Sequence, residues 1–131
     1  MEHTVTLPIR WGDMDAFGHL NNVSFFRLLE EVRIQWLDQL GCKVDVQETG
    51  PVVINVSCDF LKQVVYPADI QINTKVENIG RSSLEISHEL FVAGEEPQLC
   101  GRASGKMVWV NYAEGISVPL PAELRAQLTA P

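Results

Sequence analysis

The chain has 131 residues, 46% of them apolar, and a formal charge of −7 at neutral pH. That length suits one domain with a real core, and the apolar share sets aside a disordered chain. The acidic balance sets aside broad contact with nucleic acid or an anionic bilayer, which needs clustered Lys and Arg, but leaves room for an anionic small molecule held by a few local cations.

Cys42, Cys58 and Cys100 show neither ligand spacing nor a bridge pattern, so they read as thiols in a reducing compartment. Met1-Glu2-His3-Thr4 lacks a basic region followed by an apolar run. No apolar stretch is long enough to span a bilayer, and the expected setting is the cytoplasm.

Residues 4–11 alternate, with Val5, Leu7, Ile9 and Trp11 on one side and Thr4, Thr6, Pro8 and Arg10 on the other. A period of two predicts a half-buried strand, and Pro8 puts it at an edge or a bulge. A glycine-bounded acidic loop follows, Gly12-Asp13-Met14-Asp15-Ala16-Phe17-Gly18-His19-Leu20. Asn21 and Asn22 are good capping types, because their side chains accept hydrogen bonds from the free amides of a first helical turn.

From there Phe25, Phe26, Leu29, Val32, Trp36, Leu37 and Leu40 fall on one arc at 100° per residue, opposite Arg27, Glu31, Gln35 and Asp38. This predicts one long helix laid across a sheet and ending at Gly41. Glu30 and Arg33 lie three apart at the edge of and inside the apolar arc, spaced to pair with each other or to make an interface contact.

Residues 43–51 read as a polar connection, and strands are predicted at about 52–61, 69–79, 83–92 and 98–111. Gly80 in the turn 78–82 is available for a positive backbone angle. Gly101, Ala103 and Gly105 alternate on the last strand, implying a bulky neighbour, most simply the long helix. Ala122–Leu128 suits a short terminal helix.

The sum is five strands and one dominant helix in a single domain over residues 1–131, with no repeat or linker to divide it. One helix covers one face of such a sheet, so apolar residues on the uncovered face predict pairing with a second copy.

Asp13 and Asp15 stand directly before the helix start. Either carboxylate could simply cap the helix or tie down the loop. The alternative is chemical: free amides and the positive end of the helix dipole suit a developing oxyanion, and a carboxylate beside them can act as base or nucleophile on a carbonyl. His19 could orient the loop or take part in binding or proton transfer. His88, between Ile86 and Leu90, has the setting of a core histidine. No convergent metal ligands, nucleophile elbow, GxGxxG run or P-loop is present, so no metal or cofactor is expected. Lys62, Arg81, Arg102 and Lys106 are scattered cations that suit a pocket mouth or plain surface.

The string Trp11-Gly12-Asp13-Met14-Asp15-Ala16-Phe17-Gly18-His19-Leu20-Asn21-Asn22, with Phe25-Phe26-Arg27-Leu28-Leu29-Glu30-Glu31 after it, resembles the signature of hotdog-fold acyl-CoA thioesterases of the 4-hydroxybenzoyl-CoA thioesterase class. Asp59-Phe60-Leu61, Gly80-Arg81-Ser82-Ser83 and Val118-Pro119-Leu120-Pro121 extend the likeness over nearly the whole chain. The resemblance implies an α+β hotdog fold: a five-stranded antiparallel sheet wrapped around one long helix, with a short C-terminal helix. It further implies a homodimer joined edge to edge with active sites at the interface, and leaves open whether dimers stack into tetramers.

Carried over, the catalytic carboxylate matches Asp15, and the amide that polarises the thioester carbonyl matches the helix start at Asn22, with His19 beside it. Asn21, Lys62, Arg81 and Arg102 are the corresponding substrate-binding candidates, Arg81 foremost for the coenzyme A nucleotide. Members that act on hydroxybenzoyl groups carry apolar and aromatic residues where this chain has His19-Leu20-Asn21-Asn22. A fatty or other acyl group therefore stands level with an aromatic one. The implied activity is hydrolysis of an acyl-CoA; the competing readings are action on an acyl-carrier-protein thioester, or noncatalytic binding of acyl thioesters.

Overall fold

The computed structural model describes residues 2–42 and 48–130. Its strands are β1 (Glu2–Pro8), β2 (Thr49–Phe60), β3 (Asp69–Ile79), β4 (Ser83–Val92), β5 (Gln98–Asn111) and β6 (Ile116–Ser117), with helices α1 (Asn22–Gln39) and α2 (Ala122–Thr129). All pair antiparallel in the order β1-β3-β4-β5-β2, and β6 folds back onto the end of β5.

The α+β architecture follows the expectation, with corrections. The sheet has six strands rather than five, because Ile116–Ser117 returns through a turn at Gly115; two residues are too few to leave a periodic signal. β1 ends at Pro8, and Trp11–Asp13 forms one 3-10 turn, which leaves Trp11 exposed instead of sharing the strand's inner face. Thr49, Gly50 and Pro51 belong to β2, while residues 43–47 of the expected connection lie outside the described residues.

α1 lays Phe25, Leu29, Val32 and Trp36 onto the inner face of β3, β4 and β5, where Ile70, Ile72, Leu84, Ile86, Leu90, Met107 and Trp109 are buried. Each such side chain, withdrawn from water, contributes roughly 1.5–3 kcal/mol. The buried residues form two clusters. One, nearer the start of α1, centres on Phe25, Leu29, Ile70 and Ile72; the other, nearer its end, on Trp36, Met107, Trp109, Leu124 and Leu128. Thr74 and His88 are the buried polar residues among those described, and they share a hydrogen bond of 2.8 Å between Thr74 Oγ1 and His88 Nδ1.

The small residues of β5 serve two neighbours. A side chain at Gly101 would approach Phe25 of α1 to 3.6 Å, whereas at Gly105 it would meet Ile86 and Val56 of the adjoining strands. Gly80 does not take a positive φ; the Ser83 hydroxyl occupies the space a Cβ would need.

The uncovered face of the sheet is polar, with ion pairs Lys75–Glu77, Arg102–Glu89 and Lys106–Glu85 across it. Exposed apolar residues gather on β2 instead: Val52, Val53, Ile54, Val56 and Phe60.

Candidate active site

The loop between the 3-10 turn and α1 is closed by its own backbone. Asp15 N–H donates to His19 O at 2.9 Å, Gly18 N–H to Asp15 O at 3.0 Å, and Asn21 N–H to Asp13 O at 3.0 Å. Gly18 turns the chain at φ +82°, a conformation that a residue with a Cβ adopts at a cost. Leu20 N–H donates to Val64 O at 2.7 Å, tying the loop to the segment that leaves β2. Ser24, one turn into α1, donates its hydroxyl to Asp13 O at 3.1 Å.

Within this frame the two carboxylates separate. Asp13 Oδ2 accepts from Arg10 N–H at 2.8 Å and fastens the 3-10 turn. Asp15 Oδ1 accepts from Phe17 N–H at 2.9 Å, a two-residue side-chain turn that fixes the carboxylate. Oδ2 of Asp15 has no hydrogen-bond partner among the described residues.

Asn21 is the N-cap of α1, its Oδ1 accepting from Val23 N–H at 2.8 Å. Ser24 N–H and Phe25 N–H turn back to Asn21 O. That leaves the Asn22 N–H, the first amide of the helix, without an acceptor among the described residues.

Asp15, His19 and Asn22 line one cleft of about 370 Å³, together with Phe17, Leu20, Phe25, Phe60, Leu61, Lys62 and Gln63. Phe60 is packed edge-on against Phe25 at 5.1 Å and 71° and against Phe26 at 6.1 Å and 83°. The arrangement offers a carboxylate oxygen, a free amide at the positive end of an 18-residue helix, an apolar wall and one cation.

Of the residues singled out from the sequence, the structure thus brings Asp15, His19, Asn22 and Lys62 together. It places Asn21 beside them as a cap. Arg81 lies in the β3–β4 turn, where its carbonyl accepts from Leu120 N–H, and Arg102 lies on the polar outer face against Glu89 at 3.8 Å. Neither lines the cleft of its own chain. Phe17, Phe60, Leu61 and Gln63 went unnoticed as site residues: β2 alternates on both faces, and nothing in its pattern says which end meets the helix start.

Other chemistries find little support. Burial pushes the Cys58 thiol up to about 11, helped by Asp59 and Cys100, and burial likewise pushes Cys100 up to about 11, so both stay protonated rather than forming thiolate nucleophiles. Among the described residues no three His, Cys, Asp or Glu side chains converge as metal ligands. No helix of the described residues is long and apolar enough to cross a membrane.

Residues 9–128 match the family model of the thioesterase-like superfamily. An uncharacterized protein of Bacillus subtilis, YsmA, is 34% identical over 114 residues, which cover 86% of this chain and 75% of that protein. The PA2801 protein of Pseudomonas aeruginosa has the same structure at a TM-score of 0.92 and 38% identity, over 97% of this chain and 98% of that one. A 1,4-dihydroxy-2-naphthoyl-CoA thioesterase from Synechocystis shares the fold at a TM-score of 0.89 with 19% identity, over 98% and 96% of the two chains.

Proposed function

We propose that this chain, which belongs to the thioesterase-like superfamily and is a thioester hydrolase, hydrolyses an acyl-CoA with Asp15 as the reacting carboxylate. The observation that carries the reading is the meeting in one cleft of a fixed carboxylate with a free oxygen and the unpaired first amide of α1.

A thioester carbonyl set with its oxygen on the Asn22 N–H gains a hydrogen bond and the helix dipole as negative charge develops. Asp15 Oδ2 then has two routes. It attacks the carbonyl carbon, the C–S bond breaks, coenzyme A leaves as thiolate, and water cleaves the resulting anhydride. Alternatively it takes a proton from water, whose oxygen forms the new C–O bond as the same C–S bond breaks. His19 lines the cleft beside this carboxylate, where it can hold the water or the loop. The acyl group lies against Phe25, Phe60 and Leu61, and Lys62 meets the anionic coenzyme at the mouth.

The reading includes a homodimer. β2 is an edge strand of twelve residues with Val52, Val53, Ile54 and Val56 exposed, and a second β2 laid antiparallel against it covers them. Such a pairing carries the far end of the second sheet, with its own Arg81 turn, toward this cleft. That gives Arg81 a route to the nucleotide that it lacks within one chain.

The test is thiol release over short, long and aromatic acyl-CoAs, with Asp15→Asn alongside. The variant folds and loses roughly 10²-fold or more in kcat. Turnover at the wild-type rate on every good substrate overturns the assignment; saturable binding without turnover by the unaltered chain favours a noncatalytic role.

A further inference from the structure

Gln63 lines the same cleft as Asp15, His19 and Asn22, yet it comes from another part of the chain, the segment that joins β2 to β3. That segment is pinned on both sides of Gln63. Before it, the Leu61 and Lys62 amides both donate to Cys100 O of β5, at 3.0 and 3.3 Å. After it, the buried Val64 accepts from Leu20 N–H at 2.7 Å, and Tyr66 N–H donates to Met14 Sδ at 3.3 Å. The later ties run to the very loop that carries Asp15. Backbone bonds one residue away on either side therefore set where Gln63 stands relative to the carboxylate, the kind of support that holds a working group to within roughly 0.5 Å.

The direct route to hydrolysis leaves one task for such a group. As water attacks, one of its protons goes to Asp15 Oδ2 and a lone pair goes to the carbonyl carbon. Its second O–H then needs an acceptor, or the oxygen turns out of line. The apolar side chains of the cleft offer none, and the Lys62 ammonium only donates. Asp15 Oδ1 is already taken by Phe17 N–H. Asn22 stands at the oxygen end of the carbonyl rather than at its carbon. His19 accepts only at one ring nitrogen and only while neutral, and its own carbonyl is tied to Asp15 N–H on the same loop. The Gln63 amide carries an acceptor oxygen at every pH and approaches from a different element.

We infer that Gln63 is a positioning residue for the hydrolytic water, its side-chain oxygen accepting the second O–H while Asp15 takes the first proton. The bonds balance. Water's oxygen forms the new C–O bond as the C–S bond breaks, the first proton passes through Asp15 to the departing thiolate, and the second stays on the product acid. Gln63 keeps its own protons throughout. The inference rests on Asp15 as the reacting carboxylate and takes its direct route.

The experiment is steady-state thiol release by the full chain, wild type against Gln63→Leu, Asp15→Asn and the double variant, with thermal unfolding alongside. Gln63 is exposed, so Gln63→Leu keeps the unfolding midpoint. KM stays at the wild-type value and kcat falls ~10-fold, the upper range for one neutral hydrogen bond. In the Asp15→Asn background the same change lowers kcat by ~2-fold or less, because no proton is then being drawn from the water. A merely structural residue would lower both backgrounds alike.

A ~10-fold loss in each background overturns the inference, as does a rise in KM with kcat unchanged, which would place Gln63 on the coenzyme instead. Wild-type kcat in Gln63→Leu beside a slowed Asp15→Asn overturns this inference alone. Wild-type turnover in Asp15→Asn overturns the reading beneath it as well.

Discussion

The two ends of α1 solve the same problem in opposite ways. At the C-terminal end the open carbonyls are closed by the chain itself. Gly41, at φ +86°, donates to Asp38 O at 3.0 Å, Cys42 N–H reaches Leu37 O at 2.9 Å, and Gln127 of α2 donates to Leu40 O at 3.2 Å. At the N-terminal end a cap takes the Val23 amide and leaves that of Asn22 open beside Asp15. A helix end that the fold could have satisfied, and does not, is where a ligand's oxygen gains most. The contrast separates the end that holds the structure together from the end where the proposed chemistry is placed.

Deleting the free amide breaks the contrast most severely. Asn22 is the first helical residue, where proline is well tolerated, and Asn21 before it is extended at ψ 142°, as a residue preceding proline prefers. Asn22→Pro therefore removes one N–H and little else from the fold. Activity falls by roughly 10²–10³-fold, the range for losing an oxyanion donor, with the unfolding midpoint nearly unchanged. Asn22→Ala keeps the amide and most of the activity. Equal losses in both variants would assign the effect to the Asn22 side chain instead.

Midway between the ends, His88 reports on the join between the two clusters. Its pKa is lowered from 6.5 to about 4, first by burial and then by the charge of Arg33. The folded state thus binds fewer protons than the unfolded one at mildly acid pH. The sign follows: the contribution of neutral His88 is complete above pH 6.5 and is lost as pH falls toward 4. By linkage the loss approaches about 3 kcal/mol. Urea unfolding at pH 7 and pH 4.5 measures it, and His88→Gln, which cannot charge, shows a smaller drop over the same interval.

Much of this was legible because it is local. Alternation marked β3, β4 and β5 to their ends, and the 100° arc with its asparagines marked α1 from its first residue. Asp15, Asn22 and His19 were readable together because one loop carries them. Lys62 joins them only through the pairing of β2 with β5, a contact between distant segments that periodicity does not encode. Arg81 and Arg102 show the converse: surface cations look alike in sequence, and only register put one in a far turn and the other on the outer face. Glu30 and Arg33 were spaced to pair, yet spacing does not choose between i−3 and i+3 neighbours, and Arg27 took the carboxylate.

The smallest expected effect tests the closed end of α1. Gln127→Ala removes the donor to Leu40 O, a carbonyl of a half-exposed junction between the two helices. Turn geometry already satisfies the neighbouring carbonyls of Asp38 and Leu37, so the loss is that of a single neutral hydrogen bond, about 1 kcal/mol. It appears in denaturant unfolding, while kcat and KM on the best acyl-CoA stay at wild-type values, because nothing at this end touches the cleft. This variant and Asn22→Pro then form opposite halves of one measurement, stability without activity and activity without stability. A fall in kcat from Gln127→Ala would mean that strain runs the length of the helix, and the two ends could no longer be treated as independent.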